Sequence, residues 1–174
     1  MDLKQYIREV PDWPKEGINF KDITTLLQDK EAFAFAVDEL CRPYVDDPVD
    51  VIAGIDARGF VLAAAMAYKL GTGIALVRKA GKLPAETVSR EYALEYGSNT
   101  IEMHKDAVKP GQKVLMVDDL LATGGTMAAA IELVKELGGE IAGVEFIVEL
   151  DALNGREKFK DYKTRSLVHY KYDL

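Results

Sequence analysis

Apolar residues recur along the middle of the chain in short unbroken runs, separated by polar or glycine-rich segments. VDVIAGI (49–55), GIALVRK (73–79), KVLMVDD (113–119) and IAGVEFIVEL (141–150) are apolar and rich in β-branched residues, the pattern of strands buried on both faces. Between them the apolar spacing lengthens to three or four residues. FVLAAAMAYKL (60–70) predicts a helix stopped by Gly71. A second is predicted over 126–137, with Met127, Ala130, Ile131 and Val134 as its stripe and Gly138 and Gly139 closing it. Phe33, Val37 and Leu40 give the same period over 30–43, and SLVHY (166–170) adds a short last strand. Residues 2–9 read as a short helix. PDWPKEGINF after them, with Pro11 and Pro14 framing Trp13, reads as an extended loop.

Alternating strands and helices predict an α/β fold, a central mainly parallel sheet flanked by helices. The alternation breaks between Lys82 and Lys109, where EYALEY and TIEMH predict an antiparallel hairpin around Gly97-Ser98-Asn99. That segment is expected to be a flap over about 82–105. With no repeat, low-complexity tract or linker, the 174 residues are expected to form a single domain, 1–174. In open parallel sheets ligands bind at the carboxyl ends of strands. This brings forward the loops 56–60, 79–90 and 118–126.

Composition narrows the partners. The chain is 48% hydrophobic and 29% charged, enough to bury a sizeable core. No apolar run approaches the ~18 residues of a membrane span. The segment MDLKQYIREV has neither a basic nor an apolar leader region, so no secretory signal is expected. Cys41 is the only cysteine, which excludes an internal disulfide and a cysteine-based zinc site and suits a cytoplasmic location. Net charge of −7 argues against broad binding to nucleic acid or to an anionic membrane. An anion site would therefore have to come from a few clustered cations.

VLMVDDLLATGGT (114–126) is the strongest candidate. An apolar strand delivers two adjacent carboxylates, Asp118 and Asp119. The chain then turns through Ala122-Thr123-Gly124-Gly125-Thr126 into a helix. The glycines let the backbone approach a ligand, the helix start supplies N–H groups and a favourable dipole, and Thr123 and Thr126 add hydroxyls. Acids beside a phosphate cradle suit a sugar phosphate, because they can accept from ribose hydroxyls or hold the waters of Mg²⁺. A P-loop NTPase is excluded by the lack of G-x-x-x-x-G-K-[ST], and a dinucleotide enzyme by the lack of G-x-G-x-x-G after a strand. Arg78, Lys79 and Lys82 cluster after one strand and Arg58 follows another. Taken alone they fit a solvated surface as well as a pyrophosphate site. Phe20 reads equally as a core aromatic or as a ring that stacks on a base. Glu95, between Leu94 and Tyr96, reads from the residues alone as an outward acid on the hairpin. His104 and His169 have no ligand-type residue at metal-binding spacing. Cys41 is expected to be a buried small hydrophobe, and Trp13 a packing anchor.

VLMVDDLLATGGT resembles the phosphoribosyl-pyrophosphate (PRPP) motif of the type I phosphoribosyltransferases. PDWPKEGINFKDIT, IDARGF, RKAGKLP, YALEYG and VELDALNGREK resemble further segments of the adenine-using members, in the same order. The resemblance covers nearly the whole chain. It implies conversion of adenine and PRPP to AMP and pyrophosphate through an oxocarbenium-like transition state, with Mg²⁺ as cofactor and a homodimer as assembly. It also implies site roles. Ala122, Thr123, Gly124, Gly125 and Thr126 would hold the 5′-phosphate, and Asp118 and Asp119 the ribose side with the metal's waters. Arg58, Arg78, Lys79 and Lys82 would hold pyrophosphate, with Arg78 or a neighbour reaching a partner's site. Asn19, Phe20, Arg58 and Leu150 would contact the base, and Glu95 would handle its proton. The loop Asp56-Ala57-Arg58-Gly59 would carry a strained or cis peptide, and the flap would exclude water. Asn19 is polar where relatives also carry apolar residues, which keeps a 6-oxopurine substrate as one alternative. The other is a non-catalytic PRPP-sensing regulator, which would need a basic patch or added DNA-binding domain that the sequence lacks.

Overall fold

The computed structural model describes residues 1–94 and 96–172. Its elements follow the predicted alternation through the centre of the chain. The strands are β1 (Arg8–Pro11), β2 (Asn19–Asp22), β3 (Val51–Ile55), β4 (Gly73–Lys79), β5 (Thr87–Ala93), β6 (Ser98–His104), β7 (Lys113–Leu121), β8 (Glu140–Leu150) and β9 (Thr164–Tyr170). The helices are α1 (Thr24–Gln28), α2 (Lys30–Cys41), α3 (Arg58–Leu70) and α4 (Gly125–Glu136). A seven-stranded sheet runs β5-β6-β4-β3-β7-β8-β9. β4, β3, β7, β8 and β9 are parallel, and the β5–β6 hairpin joins antiparallel to the end of β4.

Alternate residues of the buried strands feed two cores. Ile52, Leu115, Val117 and Ile147 pack with Leu62, Ala63 and Met66 of α3 and with Ala36 and Leu40 of α2. Val114, Met116 and Phe146 pack with Met127, Ala130, Ile131 and Val134 of α4. Each fully buried Leu, Ile, Val, Met or Phe among them contributes ~2 kcal/mol through removal of apolar surface from water. α2 starts where the Asp29 carboxylate accepts from the Glu31 and Ala32 N–H groups. α3 stops at Gly71, whose φ of 71° is the left-handed cap. A Cβ on Gly54 would come within 2.8 Å of both Ala63 Cβ and Gly59 O. The missing side chain therefore lets the first turn of α3 lie against β3, and so fixes Arg58 at the strand's carboxyl end.

The N-terminal expectation needs correction. In place of a helix over 2–9 there is one 3₁₀ turn, Leu3–Tyr6, capped by Asp2, and then β1 paired antiparallel with β2. Cross-strand polar pairs hold this ribbon. Arg8 binds Asp22 at 2.6 Å, and Glu9 accepts from Asn19 at 2.6 Å and Lys21 at 3.1 Å. The loop prediction holds over 12–18, but its first residue, Pro11, ends β1 and its last two, Asn19 and Phe20, open β2. It contains a cis Trp13–Pro14 bond. The hairpin is present, but Ser98 and Asn99 are already in β6, opposite Ala93 and Tyr92. The turn lies earlier, with the Leu94 N–H donating to Gly97 O. Cys41 is buried. Trp13 is half exposed and packs edge-on against Phe20, ring centroids 4.6 Å apart.

Candidate active site

The carboxyl ends of β3, β4 and β7 open into a cleft of about 270 Å³. Asp118 and Asp119 form one side, Asp56 and Arg58 the turn into α3, and Arg78 and Lys79 the end of β4. Phe20 and Tyr92 close it from β2 and the hairpin, with Ile55, Val77, Ile101 and Leu120 as apolar lining. An adjoining recess of about 100 Å³ is lined by Asp118 and by Leu120 through Met127. The two share Asp118, Leu120 and Thr126. One strand end thus supplies the acids of the cleft and the floor of the recess.

Gly124, with φ of 82°, stands immediately before α4, so the loop reverses into the helix without a side chain in the way. The N–H groups of the first turn of α4 open beside the recess, where an anion is favoured. Thr126 donates its hydroxyl to Tyr92 Oη at 3.0 Å, and a Cβ on Gly125 would touch the Tyr92 ring at 3.4 Å. The hairpin therefore rests on the same turn that forms the recess.

Charge is arranged in pairs. Arg58 Nε donates to Asp119 Oδ2 at 2.5 Å, and the Asp119 N–H donates to Asp118 Oδ1 at 2.8 Å. That bond to Asp119 is the main reason the Arg58 guanidinium sits above its ordinary pKa. Burial, reinforced by the Asp119 charge, pushes the Asp118 carboxyl well above the ordinary aspartate value. Arg78 Nε donates to Asp56 Oδ2 at 2.9 Å, and its Nη1 donates to Lys82 O at 3.4 Å. The Asp56–Ala57 peptide is cis, the feature the family resemblance implied for this loop.

Phe20, Arg58, Arg78, Lys79, Asp118, Asp119 and Thr126 thus come together, with Ala122 to Gly125 beside them. Three expected residues stand apart. Lys82 is exposed and reaches Arg78 through its backbone oxygen. Leu150 is buried in the core at the end of β8, while Leu120 faces the cleft. Asn19 donates to Glu9, and its Oδ1 is buried without a hydrogen-bond partner. Glu95 lies outside the described residues. Tyr92, Asp56 and Leu120 also line the cleft. Sequence reasoning gave none of them a contact of its own, although they lie within YALEYG, IDARGF and VLMVDDLLATGGT, and membership of those segments was the only available signal.

The expectation that His169 has no ligand-type neighbours is also corrected. The fold brings it to Asp151, with Nδ1 2.7 Å from Oδ1, and to Glu149 at 3.9 Å. These three offer donor atoms within 4.8 Å of one another. Glu149, however, is gripped by Arg156 through both Nε, at 2.7 Å, and Nη2, and accepts from Ser166 at 2.6 Å. Burial would raise its pKa, but those donors outweigh it and hold the carboxyl below its ordinary value. A guanidinium on the carboxylate makes this an ion-pair network first.

A strand ending in paired acids, a glycine turn into a helix and a cation-rimmed cleft define a protein that handles a phosphorylated sugar. The phosphoribosyl transferase domain family matches residues 24–171. The adenine phosphoribosyltransferase of Thermoanaerobacter pseudethanolicus is 50% identical, with a TM-score of 0.93 over 97% of this chain and 98% of that one. The enzyme of Rhodothermus marinus is 44% identical, with a TM-score of 0.92 over 97% and 96%. That of Saccharomyces cerevisiae, solved with adenine and an imino-altritol bisphosphate, is 38% identical, with a TM-score of 0.90 over 95% and 96%. The chain belongs to the adenine phosphoribosyltransferase family, with the type I phosphoribosyltransferase fold.

Proposed function

We propose that this protein is a purine-salvage enzyme that converts adenine and PRPP to AMP and pyrophosphate. The observation that carries the reading is the junction of cleft and recess at Asp118, Leu120 and Thr126. A sugar seated at that junction has its 5′-phosphate toward the helix start and its anomeric carbon toward the cleft.

The residues then divide the work. Ala122 to Thr126 hold the 5′-phosphate with backbone N–H groups and hydroxyls. Arg58 neutralises Asp119, while burial and its neighbour oppose the charge of Asp118. Positive charge growing on the ribosyl carbon favours an anion there, so the acid pair stabilises the transition state more than the ground state. Arg78, steered by Asp56, and Lys79 hold pyrophosphate, and Lys82, outside the cleft lining, is the further pyrophosphate contact that the resemblance implies. The base stacks on Phe20, whose far edge is braced by Trp13. Asn19, the Arg58 backbone and Leu150 are the further base contacts that the resemblance implies, and Glu95 is its proton-handling residue. The β5–β6 hairpin acts as the lid, with Tyr92 meeting Thr126 when it is down.

Mg²⁺ accompanies PRPP in this family, and the cleft fits it. Its acidic donors are carboxylate oxygens, the hard ligands this ion prefers, and among the described residues neither thiol nor imidazole lines it. Asp118 and Asp119 would hold the ion's waters, and the ion would supply charge neutralisation of the departing pyrophosphate.

We also propose a homodimer formed through the outer side of α3. Val61, Ala64 and Tyr68 are exposed there, Tyr68 at 93%, an apolar stripe that water would otherwise cover. Sedimentation as a dimer across micromolar dilutions is expected, and a persistent monomer would remove this part of the reading.

The function is tested by incubating protein, PRPP and Mg²⁺ with adenine, hypoxanthine or guanine and following nucleotide formation by absorbance. AMP from adenine alone is expected. Turnover of hypoxanthine or guanine instead would transfer the assignment to a 6-oxopurine enzyme. PRPP binding with no turnover of any base would point to the sensor.

A further inference from the structure

The tail segment NGREK has no role in the reaction as described so far. Its path is nevertheless closely tied to the phosphate loop. After β8 the chain makes a 3₁₀ turn, Asp151–Leu153, reverses at Asn154 and enters a second, Gly155–Phe159. Gly155 is buried directly behind the loop. A methyl group there would overlap Ala122 O and lie 3.1 Å from Gly124 N, and a methyl group on Gly124 would overlap Gly155 O. Neither backbone can gain a side chain without displacing the other. Lys158 Nζ donates to Thr123 O, on the loop residue between Ala122 and Gly124.

The backing segment is itself fixed. Phe159 is buried and stacks on Phe146 at 6.3 Å. Arg156 grips Glu149 at the end of β8. The Asn154 N–H donates to Asp151 O. A rigid support therefore touches the far side of a loop whose near side lines the recess.

We propose that Gly155 and Lys158 are positioning residues for the 5′-phosphate: they hold the Ala122–Gly124 backbone from behind so that its N–H groups face the ligand. The proposal rests on the phosphate-cradle role given to that loop above. Two physical effects act together. Gly155 limits how far the loop can retreat. The Lys158 ammonium on the Thr123 carbonyl polarises the Thr123–Gly124 peptide and makes the Gly124 N–H a stronger donor. Because Lys158 is exposed, its bond adds little to global stability. The effect of removing it should therefore be seen in ligand affinity.

The test compares wild type, Lys158→Met, Lys158→Arg and Gly155→Ala by steady-state kinetics and by calorimetric titration with AMP and with pyrophosphate. Lys158→Met is expected to raise KM for PRPP and Kd for AMP about 5- to 10-fold, with KM for adenine and Kd for pyrophosphate within about 2-fold. Lys158→Arg should restore most of the loss, and the melting temperature of both should stay within ~2 °C. Gly155→Ala should weaken AMP binding further, and Lys158→Met decides the matter if that variant does not fold. Unchanged AMP affinity in Lys158→Met would overturn the proposal. So would parallel weakening toward AMP and pyrophosphate with a falling melting temperature, the signature of a purely structural role. Wild type that binds AMP but turns over no base would remove the transferase reading alone, because the AMP titrations still decide the positioning role.

Discussion

Asp118 and Glu145 are acids on adjacent strands, one step apart in register, since Asp118 pairs with Phe146 and Val117 with Glu145. Burial pushes both carboxyls up, Glu145 to about 7. What differs is access. Asp118 borders a cleft, where an incoming group can compensate its charge. Glu145 is sealed on the α2 side of the sheet. It accepts from Tyr44 Oη at 2.9 Å and lies 3.6 Å from Arg165 Nη1, and its second oxygen has no hydrogen-bond partner. The same desolvation is therefore available to a reaction in one place and only to the fold in the other.

The sharpest way to break this contrast is to remove the cleft acids. Asp118→Asn and Asp119→Asn should each lower kcat by about 100-fold or more. Their urea unfolding midpoints should stay close to wild type. Near-normal turnover in both would mean that the cleft acids are no more functional than Glu145.

Next in size is the pH dependence of stability carried by Glu145. With a folded value of about 7 against an ordinary 4.5, the native state keeps a proton that the unfolded chain has released between those limits. Its contribution is thus complete below pH 4.5 and is lost as pH rises through 7, a change on the order of 3 kcal/mol. Glu145→Gln stays neutral, so the variant should gain on wild type by that amount between pH 4.5 and 8 in urea unfolding. Parallel pH profiles would show that Tyr44 and Arg165 already support the ionised form. Comparing the two proteins cancels the titration of groups remote from Glu145.

The smallest effect should come from the hairpin. Tyr92→Phe removes the acceptor for the Thr126 hydroxyl. One neutral hydrogen bond is worth ~0.5–1.5 kcal/mol, so KM for PRPP should rise about 2- to 10-fold with little change in melting temperature. No change would leave Tyr92 as a packing residue on Gly125.

Legibility in the sequence followed the same division between local and distant. β3, β4, β7 and β8 are continuous apolar runs and Gly71 and Gly138 mark helix ends, so the central α/β pattern was readable without a structure. The β1–β2 ribbon was not, because polar pairs such as Glu9–Lys21 and Arg8–Asp22 hold it and leave no apolar period. Within the site, Asp118 to Thr126 is one stretch of chain and could be read directly. The Arg58–Asp119 bond joins residues 61 apart, and the meeting of His169 with Asp151 spans 18. Such contacts depend on strand order, which residue spacing does not record. Leu120 taking a place on the cleft while Leu150 stays in the core is likewise decided by which side of each strand end faces inward.

The β5–β6 hairpin also determines how the sheet ends. β6 meets β4 only at Arg78↔Glu102 and Lys79↔Ile101, whereas β5 and β6 share seven residue pairs. The outermost strand then presents Ser89, Arg90 and Glu91 to solvent, a polar border that discourages another molecule from adding a strand. On the lid role proposed above, an excursion of the hairpin away from the cleft uncovers the carboxyl end of β4, and substrate that holds the lid closed is expected to protect a concentrated solution against aggregation.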